Sequence, residues 1–138
     1  MPEKSSLLTW WLDPWFRGAL LLPLPVWGWL SLMGTKPSAA WWMLLFFAPV
    51  IEELVFRGAL QTLLLQSRVG KRRCGAVSGA NALTALAFGL AHVLVNGHPW
   101  GMLTFFPGLV FGFFRERYQG VPPAIVLHGY YNAGLLLL

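Results

Sequence analysis

Two adjacent carboxylates, Glu52 and Glu53, lie inside the long apolar run of residues 41–65, and Arg57 follows one helical turn later. A charged side chain at the centre of a membrane-inserted helix costs about 2.5–3.5 kcal/mol. Three such charges so close together need partners, water or protons. Charges kept at that depth against such a cost indicate a functional site.

The composition indicates that this run meets lipid rather than water. Hydrophobic residues make up 57% of the 138 residues, charged residues only 11%, and the mean hydropathy is +0.60. A soluble domain carries about 25% charged residues. We therefore predict an all-α integral membrane protein, a single domain over residues 1–138. At this length about five transmembrane helices form a compact bundle with an intramembrane polar cavity.

Five apolar segments are the candidate spans: residues 15–33, 39–66, 76–95, 100–114 and 124–138. Pro23 and Pro25 are expected to kink the first segment, and residues 34–37 to form a turn. The fourth segment is short for a full crossing, so we expect it to be tilted or pressed against the bundle.

Basic residues between the segments predict the orientation, because cytoplasmic loops are enriched in lysine and arginine. The inner set is Lys4, Arg17, the cluster within residues 68–73, Arg115 and Arg117, and the outer set is Lys36. The chain is therefore predicted to be a multi-pass protein of the cell (plasma or inner) membrane, with its amino end in the cytoplasm and its carboxyl end outside. These charges are not interleaved with aromatic residues, so membrane lipid is the expected partner and nucleic acid is not.

Small residues have a packing interpretation. Gly75 with Gly79, and Gly108 with Gly112, have the small-x-x-x-small spacing that lets helix backbones approach closely. Cys74 cannot form an internal disulfide, because the chain has one cysteine, and we assign it no role.

Helical geometry separates the two acids. Residues four apart nearly coincide around a helix, so Glu53 is expected to pair with Arg57. The guanidinium would keep that carboxylate ionised and hold neighbouring backbone. Glu52 points elsewhere and is left free to exchange a proton.

Two other segments each carry a histidine with a second notable residue one turn away. His92 follows Phe88, and His128 precedes Asn132. A lone histidine in a membrane is more often a satisfied core residue than a reactive one. Two histidines that face a carboxylate pair on a third helix favour a reactive role instead.

The helical rise gives approximate depths. Glu52 and His128 come out at a similar level, whereas His92 reaches that level only if its helix starts near Asn81. His98, in the turn between two segments, is interpreted as a surface loop residue.

Three motifs follow in order. Residues 52–57 fit E-E-x-x-x-R, residues 88–92 fit F-x-x-x-H, and residues 128–132 fit H-x-x-x-N. On three separate apolar segments, this combination resembles the CAAX-protease and bacteriocin-processing family (CPBP, or Abi/Rce1-like) of intramembrane proteases, with a motif core at residues 39–138. The chain is shorter than family members commonly are, so it resembles a minimal catalytic core that a second copy or a partner subunit would complete.

The resemblance implies an intramembrane endopeptidase that acts on a hydrophobic or lipid-modified protein or peptide, by CAAX-type, leader-peptide or carboxyl-terminal sorting-signal processing. It implies that Glu52, as general base, and His92 activate a water that attacks the peptide carbonyl. His128 and Asn132 would donate hydrogen bonds to the oxyanion.

The remaining motif residues have supporting roles in the same resemblance. Glu53 and Arg57 are expected to orient the reacting groups, and Phe56 and Phe88 to line the substrate cavity. All of these assignments follow from the family pattern.

No cofactor is favoured, although zinc is an alternative with Glu52, His92 and His128 as ligands. The chain lacks the H-E-x-x-H pair that places two ligands on one helical turn, and His128 matches Asn132 better as a donor. A glutamate mechanism is therefore preferred to a zinc mechanism.

Two other function classes fit a polar cluster within a bundle. One is a proton-relay or transport subunit, because acids and histidines also carry protons across membranes. The other is a noncatalytic bacteriocin-immunity or interaction protein on the same scaffold. The presence of every motif residue favours the protease.

Overall fold

The computed structural model describes residues 9–33 and 39–137. The turn predicted at residues 34–37, and Lys4 and Lys36 of the charge count, lie outside the described residues. The described chain is mostly helical, which confirms the helical part of the fold prediction. The α-helices are α1 (Pro14–Ala19), α2 (Leu24–Met33), α3 (Ala48–Glu53), α4 (Gln61–Leu64), α5 (Arg68–Lys71), α6 (Gly79–Asn96), α7 (Phe105–Tyr118) and α8 (Pro122–Ala133).

Other helical turns and a hairpin make up the rest of the described residues. The 3-10 turns are Trp10–Leu12, Pro99–Thr104 and Gly134–Leu137, the π-helical turns are Met43–Phe47 and Leu54–Leu60, and the strands are β1 (Arg73–Cys74) and β2 (Val77–Ser78). The antiparallel hairpin of β1 and β2 was not part of the all-α prediction.

The predicted second segment is one helical stretch over residues 41–64, here called the acid helix, in which α and π turns alternate. Pro49 provides a reason for the first π turn, because proline has no N–H and its ring crowds the carbonyl one turn earlier. The second π turn, Leu54–Leu60, directly follows the acid pair. Such π turns occur frequently at functional sites.

The first predicted segment is broken rather than kinked. Helix α1 ends at Ala19 and α2 begins at Leu24, with turns between them. Pro23 and Pro25 cannot donate to carbonyls one turn earlier, but a proline is tolerated in the first turn of a helix. The chain therefore stops one helix and starts another around these prolines.

Helix α6 begins at Gly79, three residues later than predicted, and Ser78 caps it by accepting a hydrogen bond from the Asn81 N–H at 2.9 Å. It ends at Asn96, and the following Gly97 has a φ of +65°, the left-handed conformation that glycine adopts without strain. His98, in the following loop, is exposed, and its ring accepts from the Trp100 N–H at 3.3 Å.

Glycines bring α6 and α7 into close contact. A Cβ atom at Gly112 would overlap the Asn81 amide, and one at Gly108 would lie 3.2 Å from the Arg57 guanidinium. The packing prediction for this pair is confirmed. Gly75 instead occupies the hairpin turn with φ +59° and open space around it, so its predicted role in helix packing was wrong.

The first helices are fastened to the last one. The Trp27 indole donates to the Tyr131 carbonyl at 3.1 Å, and the Tyr131 hydroxyl donates to the Ala19 carbonyl at 2.7 Å. A buried aromatic and aliphatic cluster fills the space between α1, α7 and α8: Phe16, Ala19, Phe111, Phe114, Tyr118, Ala124 and Leu127.

Polarity is reversed relative to a soluble protein. Large apolar side chains on many helices face outward, and the described residues with buried polar side chains are Glu53, Arg57, Gln61, Ser78, Asn81, Thr84 and His128. Among the described residues, α6 is long and apolar enough to cross a membrane. The five-span arrangement goes beyond this finding and stays a prediction.

Candidate functional site

The predicted ion pair is present at the centre of the molecule. One Arg57 nitrogen lies 3.0 Å from Oε1 of Glu53, and both side chains are fully buried. The other terminal nitrogen of Arg57 donates to the Gly108 carbonyl at 2.9 Å. The guanidinium also lies 4.5 Å from the centre of the Phe88 ring. Arg57 thus joins the acid helix to both α6 and α7.

The same carboxylate binds a histidine from α8. Nδ1 of His128 lies 2.8 Å from Oε1 of Glu53. A carboxylate only accepts hydrogen bonds, so the proton of this bond belongs to Nδ1. The Phe111 ring stacks on the imidazole at a centroid distance of 5.0 Å and fixes its plane. Nε2 of His128 consequently faces away from Glu53.

Glu52 has a different environment from its neighbour. Its side chain is 31% exposed, and its Oε2 lies 3.8 Å from Nε2 of His92 and 3.8 Å from Nε2 of His128. Among the described residues, nothing makes a hydrogen bond to that oxygen. Three side chains from the acid helix, α6 and α8 therefore meet, with Glu52 between the two rings.

The orientation of His92 follows from its other nitrogen. Nδ1 lies 3.0 Å from the Phe88 carbonyl, which can only accept a hydrogen bond. In the neutral ring the proton is therefore on Nδ1, and Nε2 presents a lone pair towards Glu52. The helix start at Gly79 places His92 level with Glu52, which the start predicted at Ala76 did not.

Asn132 contacts the acid helix rather than His128. Its amide donates to the Leu44 carbonyl at 3.0 Å. In a π turn that carbonyl would bond to the N–H five residues later, which is the position of Pro49. Proline has no N–H, so the Asn132 amide supplies the missing donor. Within the described chain no hydrogen bond joins Asn132 to His128, and the oxyanion role of Asn132 stays a prediction.

The two phenylalanines proposed for the substrate cavity differ in exposure. Phe88 is buried at 1% exposure, with its ring centre 4.4 Å from that of His92 and 5.6 Å from that of His128. Phe56 is partly exposed and packs on Phe88 at 5.1 Å. Phe88 therefore packs against the histidine rings, and a substrate contact by either phenylalanine stays a prediction.

Sequence reasoning missed a polar network beyond Arg57. The Gln61 amide donates to the Gly112 carbonyl at 3.1 Å and to Glu116 at 2.8 Å. Glu116 also accepts from Ser78, and from Arg73 at 2.6 Å. Gln61 follows Glu53 by two turns on the same helix face, and this spacing could have identified it from the sequence. Its partner Glu116 lies far away in sequence, so the pairing could not be predicted.

A second missed residue, Arg115, binds the π turn. Its Nε donates to the Arg57 carbonyl at 3.2 Å, and its terminal nitrogen lies 2.6 Å from the Thr62 hydroxyl. Thr62 also donates to the Arg57 carbonyl, at 3.3 Å. Side chains therefore hold the wide turn that follows the acid pair.

The predicted zinc ligands do not form a metal site in this arrangement. Among the described residues, no group of three His, Cys, Asp or Glu side chains has the geometry to hold a metal ion. Glu52, His92 and His128 converge, but as a carboxylate flanked by two rings at 3.8 Å. The zinc alternative, like the preference for a glutamate mechanism, stays a prediction.

Comparison with known proteins gives one finding. A family model described as "Type II CAAX prenyl endopeptidase Rce1-like" matches residues 34–134, a range that includes all three motifs. No curated protein and no solved structure matches the chain.

Proposed function

Because this chain belongs to the Rce1-like family of type II CAAX prenyl endopeptidases, a membrane-embedded protease family, we propose that it hydrolyses a peptide bond near the lipid-modified carboxyl terminus of a membrane protein. The observation that supports this most directly is the position of Glu52. Its Oε2 lies 3.8 Å from Nε2 of both His92 and His128, which is too long for a hydrogen bond and suits groups bridged by a water molecule.

In the proposed mechanism Glu52 and His92 activate that water. The Glu52 carboxylate accepts one water hydrogen, and the lone pair on Nε2 of His92 accepts the other. With both hydrogens bound, a lone pair of the water oxygen is directed at the substrate carbonyl. The Phe88 carbonyl keeps the His92 ring in the tautomer that this task requires.

The bonds and protons balance without a cofactor. Attack forms a bond between the water oxygen and the carbonyl carbon, and Glu52 takes the proton. Collapse of the tetrahedral intermediate breaks the C–N bond, and Glu52 returns the proton to the leaving amine. The products are one fragment with a new carboxyl terminus and one with a new amino terminus. The lipid stays on whichever fragment carries the modified residue.

His128 is proposed to stabilise the oxyanion, and its contacts set a condition on that role. Nδ1 already donates to Glu53, so Nε2 can donate only when both ring nitrogens carry protons. A donor of this type contributes about 3 kcal/mol in soluble hydrolases.

The test is hydrolysis by the purified chain in lipid nanodiscs. We expect cleavage of a farnesylated peptide ending in a CAAX sequence, and incorporation of ¹⁸O from labelled water into the new carboxylate. H98A should retain this activity, because His98 lies in an exposed loop. Cleavage that persists with a zinc chelator supports the glutamate mechanism, and loss of cleavage on chelation supports zinc. If folded protein cleaves no lipid-modified, leader or sorting-signal peptide, the proposed function is wrong.

The orientation is part of the same proposal: the end that carries the β1–β2 hairpin faces the cytoplasm. Cys74 lies in that hairpin, is exposed, and is the one cysteine of the chain. A membrane-impermeant thiol reagent should therefore label Cys74 only after intact cells are permeabilised. Labelling in intact cells would reverse the orientation.

A further inference from the structure

Helices α1 and α7 leave an open apolar groove between them, away from the acid and histidine residues. Its volume is about 570 Å³, within the usual range for small-molecule sites. Trp15 and Gly18 of α1, with Leu22 in the turn after it, form one wall, and Val110 and Phe113 lie on the α7 wall. We call this space the α1–α7 groove.

The α1–α7 groove is separate from the proposed catalytic site. Helix α7 presents Gly108 and Phe111 to the site, where they contact Arg57 and His128. Val110 and the other groove residues of α7 lie on a different face of that helix. The proposed hydrolysis at Glu52 therefore assigns no role to the groove.

The acids near one mouth of the groove are already neutralised. Asp13, just before α1, accepts from Arg117 at 2.5 Å and also from Tyr118. Glu116 accepts from Arg73 at 2.6 Å. Both carboxylates at this end are therefore bound by arginines of the protein itself.

Two basic side chains beside the hairpin stay unpaired. Val77 of β2 lines the groove, and Gly79, which follows β2, donates its N–H to the Arg72 carbonyl at 2.7 Å. Arg72 and its neighbour Lys71, both exposed, therefore lie next to the strand that lines the groove. In the described part of the chain no carboxylate forms an ion pair with either. Trp15, 68% exposed at this end, is suited to the headgroup layer where tryptophans concentrate. This end of the groove is thus positive and carries an exposed tryptophan.

We propose that the α1–α7 groove binds an anionic phospholipid, with an acyl chain between the helices and the phosphate on Lys71 and Arg72. The apolar walls match the chain, and the unpaired cations match the phosphate, as in basic pockets that bind acidic headgroups. A neutral lipid or a helix from another protein would leave these two cations without a partner. This inference needs only the membrane location of the family. It does not depend on the proposed hydrolytic role, and the two can be tested separately.

The test uses the full-length chain and phosphatidylglycerol as the probe. Native mass spectrometry would compare its retention with that of phosphatidylcholine. K71Q/R72Q should weaken phosphatidylglycerol binding on the order of tenfold or more, since each cation near an anionic surface contributes severalfold. G18L should fill the groove, because a Cβ at Gly18 meets nothing within 4 Å. Retention of the lipid should fall similarly in G18L.

G28L is the matched control. Gly28, on α2 and outside the groove, also has open space around a Cβ, so this variant should retain lipid as the wild type does. Equal retention of phosphatidylcholine and phosphatidylglycerol would overturn the proposal, as would undiminished binding by G18L. Loss of lipid in G18L together with G28L would also contradict it. K71Q/R72Q changes only exposed side chains, so it keeps the test decisive if G18L folds poorly.

Discussion

Two ion pairs differ in how much of their charge is removed from solvent. Glu53 and Arg57 are 3.0 Å apart with both side chains fully buried, whereas Asp13 and Arg117 are 2.5 Å apart, with the Asp13 side chain 9% exposed and that of Arg117 39% exposed. Breaking a buried pair by removing one partner typically costs about 3–5 kcal/mol, and an exposed pair is worth about 0–1 kcal/mol. The contact distance therefore says little about the importance of a charge, and its surroundings say much more.

The Asp13–Arg117 pair, here called the outer pair, has further neighbours. Burial alone would raise the pKa of Asp13, but hydrogen bonds from Tyr118 and Arg117 outweigh it and lower that pKa. Burial, together with the bond to Asp13, raises the pKa of Tyr118 to about 12. This small cluster joins the start of α1 to the end of α7.

The largest expected effect is on the rate of hydrolysis and comes from Glu52, whose carboxylate belongs to neither ion pair. E52Q should lower the rate of hydrolysis by about 10²–10⁴-fold, because it removes the general base. The free energy of unfolding should stay nearly unchanged, since Oε2 of Glu52 has no hydrogen-bond partner among the described residues. Peptide cleavage and detergent unfolding on the same preparation measure both. Unchanged cleavage by folded E52Q would remove Glu52 from the mechanism.

Next comes the buried pair. R57A should destabilise the fold by about 3–5 kcal/mol, because Glu53 would be left buried without its cation. E53Q should also be destabilising, and R117A is the matched control from the exposed pair. Unfolding measurements on purified variants would decide this. An R57A protein as stable as R117A would show that burial does not distinguish the two pairs.

The Asn132 contact should have an intermediate effect. N132A leaves the Leu44 carbonyl without a donor, which costs about 1–3 kcal/mol. P49A restores an N–H at the position that a π turn would use, so P49A/N132A should recover much of the lost stability. If P49A adds the same stability to N132A as to the wild type, the two residues do not share that carbonyl.

The smallest effect is expected at the outer pair. D13N should destabilise by about 0.2–1 kcal/mol. The pKa of Asp13 is lowered in the folded state, so its contribution is fully present above the ordinary value of about 3.9. It is lost as the pH falls through the lowered folded pKa. Unfolding of D13N and wild type from pH 7 downward should converge in that range, and a difference that grows towards acid would contradict the assignment.

Much of the fold could be predicted from the sequence, because long apolar runs dictate helices. The Glu53–Arg57 pair followed from the spacing of residues on a helix, and family membership followed from three motifs. The ends of the helices and the hairpin were harder to predict. The end of α1 depends on which prolines a helix tolerates, and the β1–β2 hairpin consists of two short strands within a basic loop.

Contacts between distant segments were the least predictable. The Asn132 amide bonds to Leu44 because a proline elsewhere in that turn lacks a donor, and the motif gives no sign of it. The Gln61–Glu116 bond likewise joins two helices whose relative register the sequence does not specify. The sequence allowed prediction of the residue types that suit a site. It did not allow prediction of the carbonyl or carboxylate that each of these residues binds.

The central claim is that Glu52 and His92 hold the same water, and a double-mutant cycle tests it most directly. The kcat/KM of E52Q, H92A and E52Q/H92A would be measured on a farnesylated peptide, with H98A as the control. Residues that act as one unit are strongly non-additive, so the double variant should be little slower than the slower single variant. Losses that multiply would show that the two side chains act separately and would contradict the account.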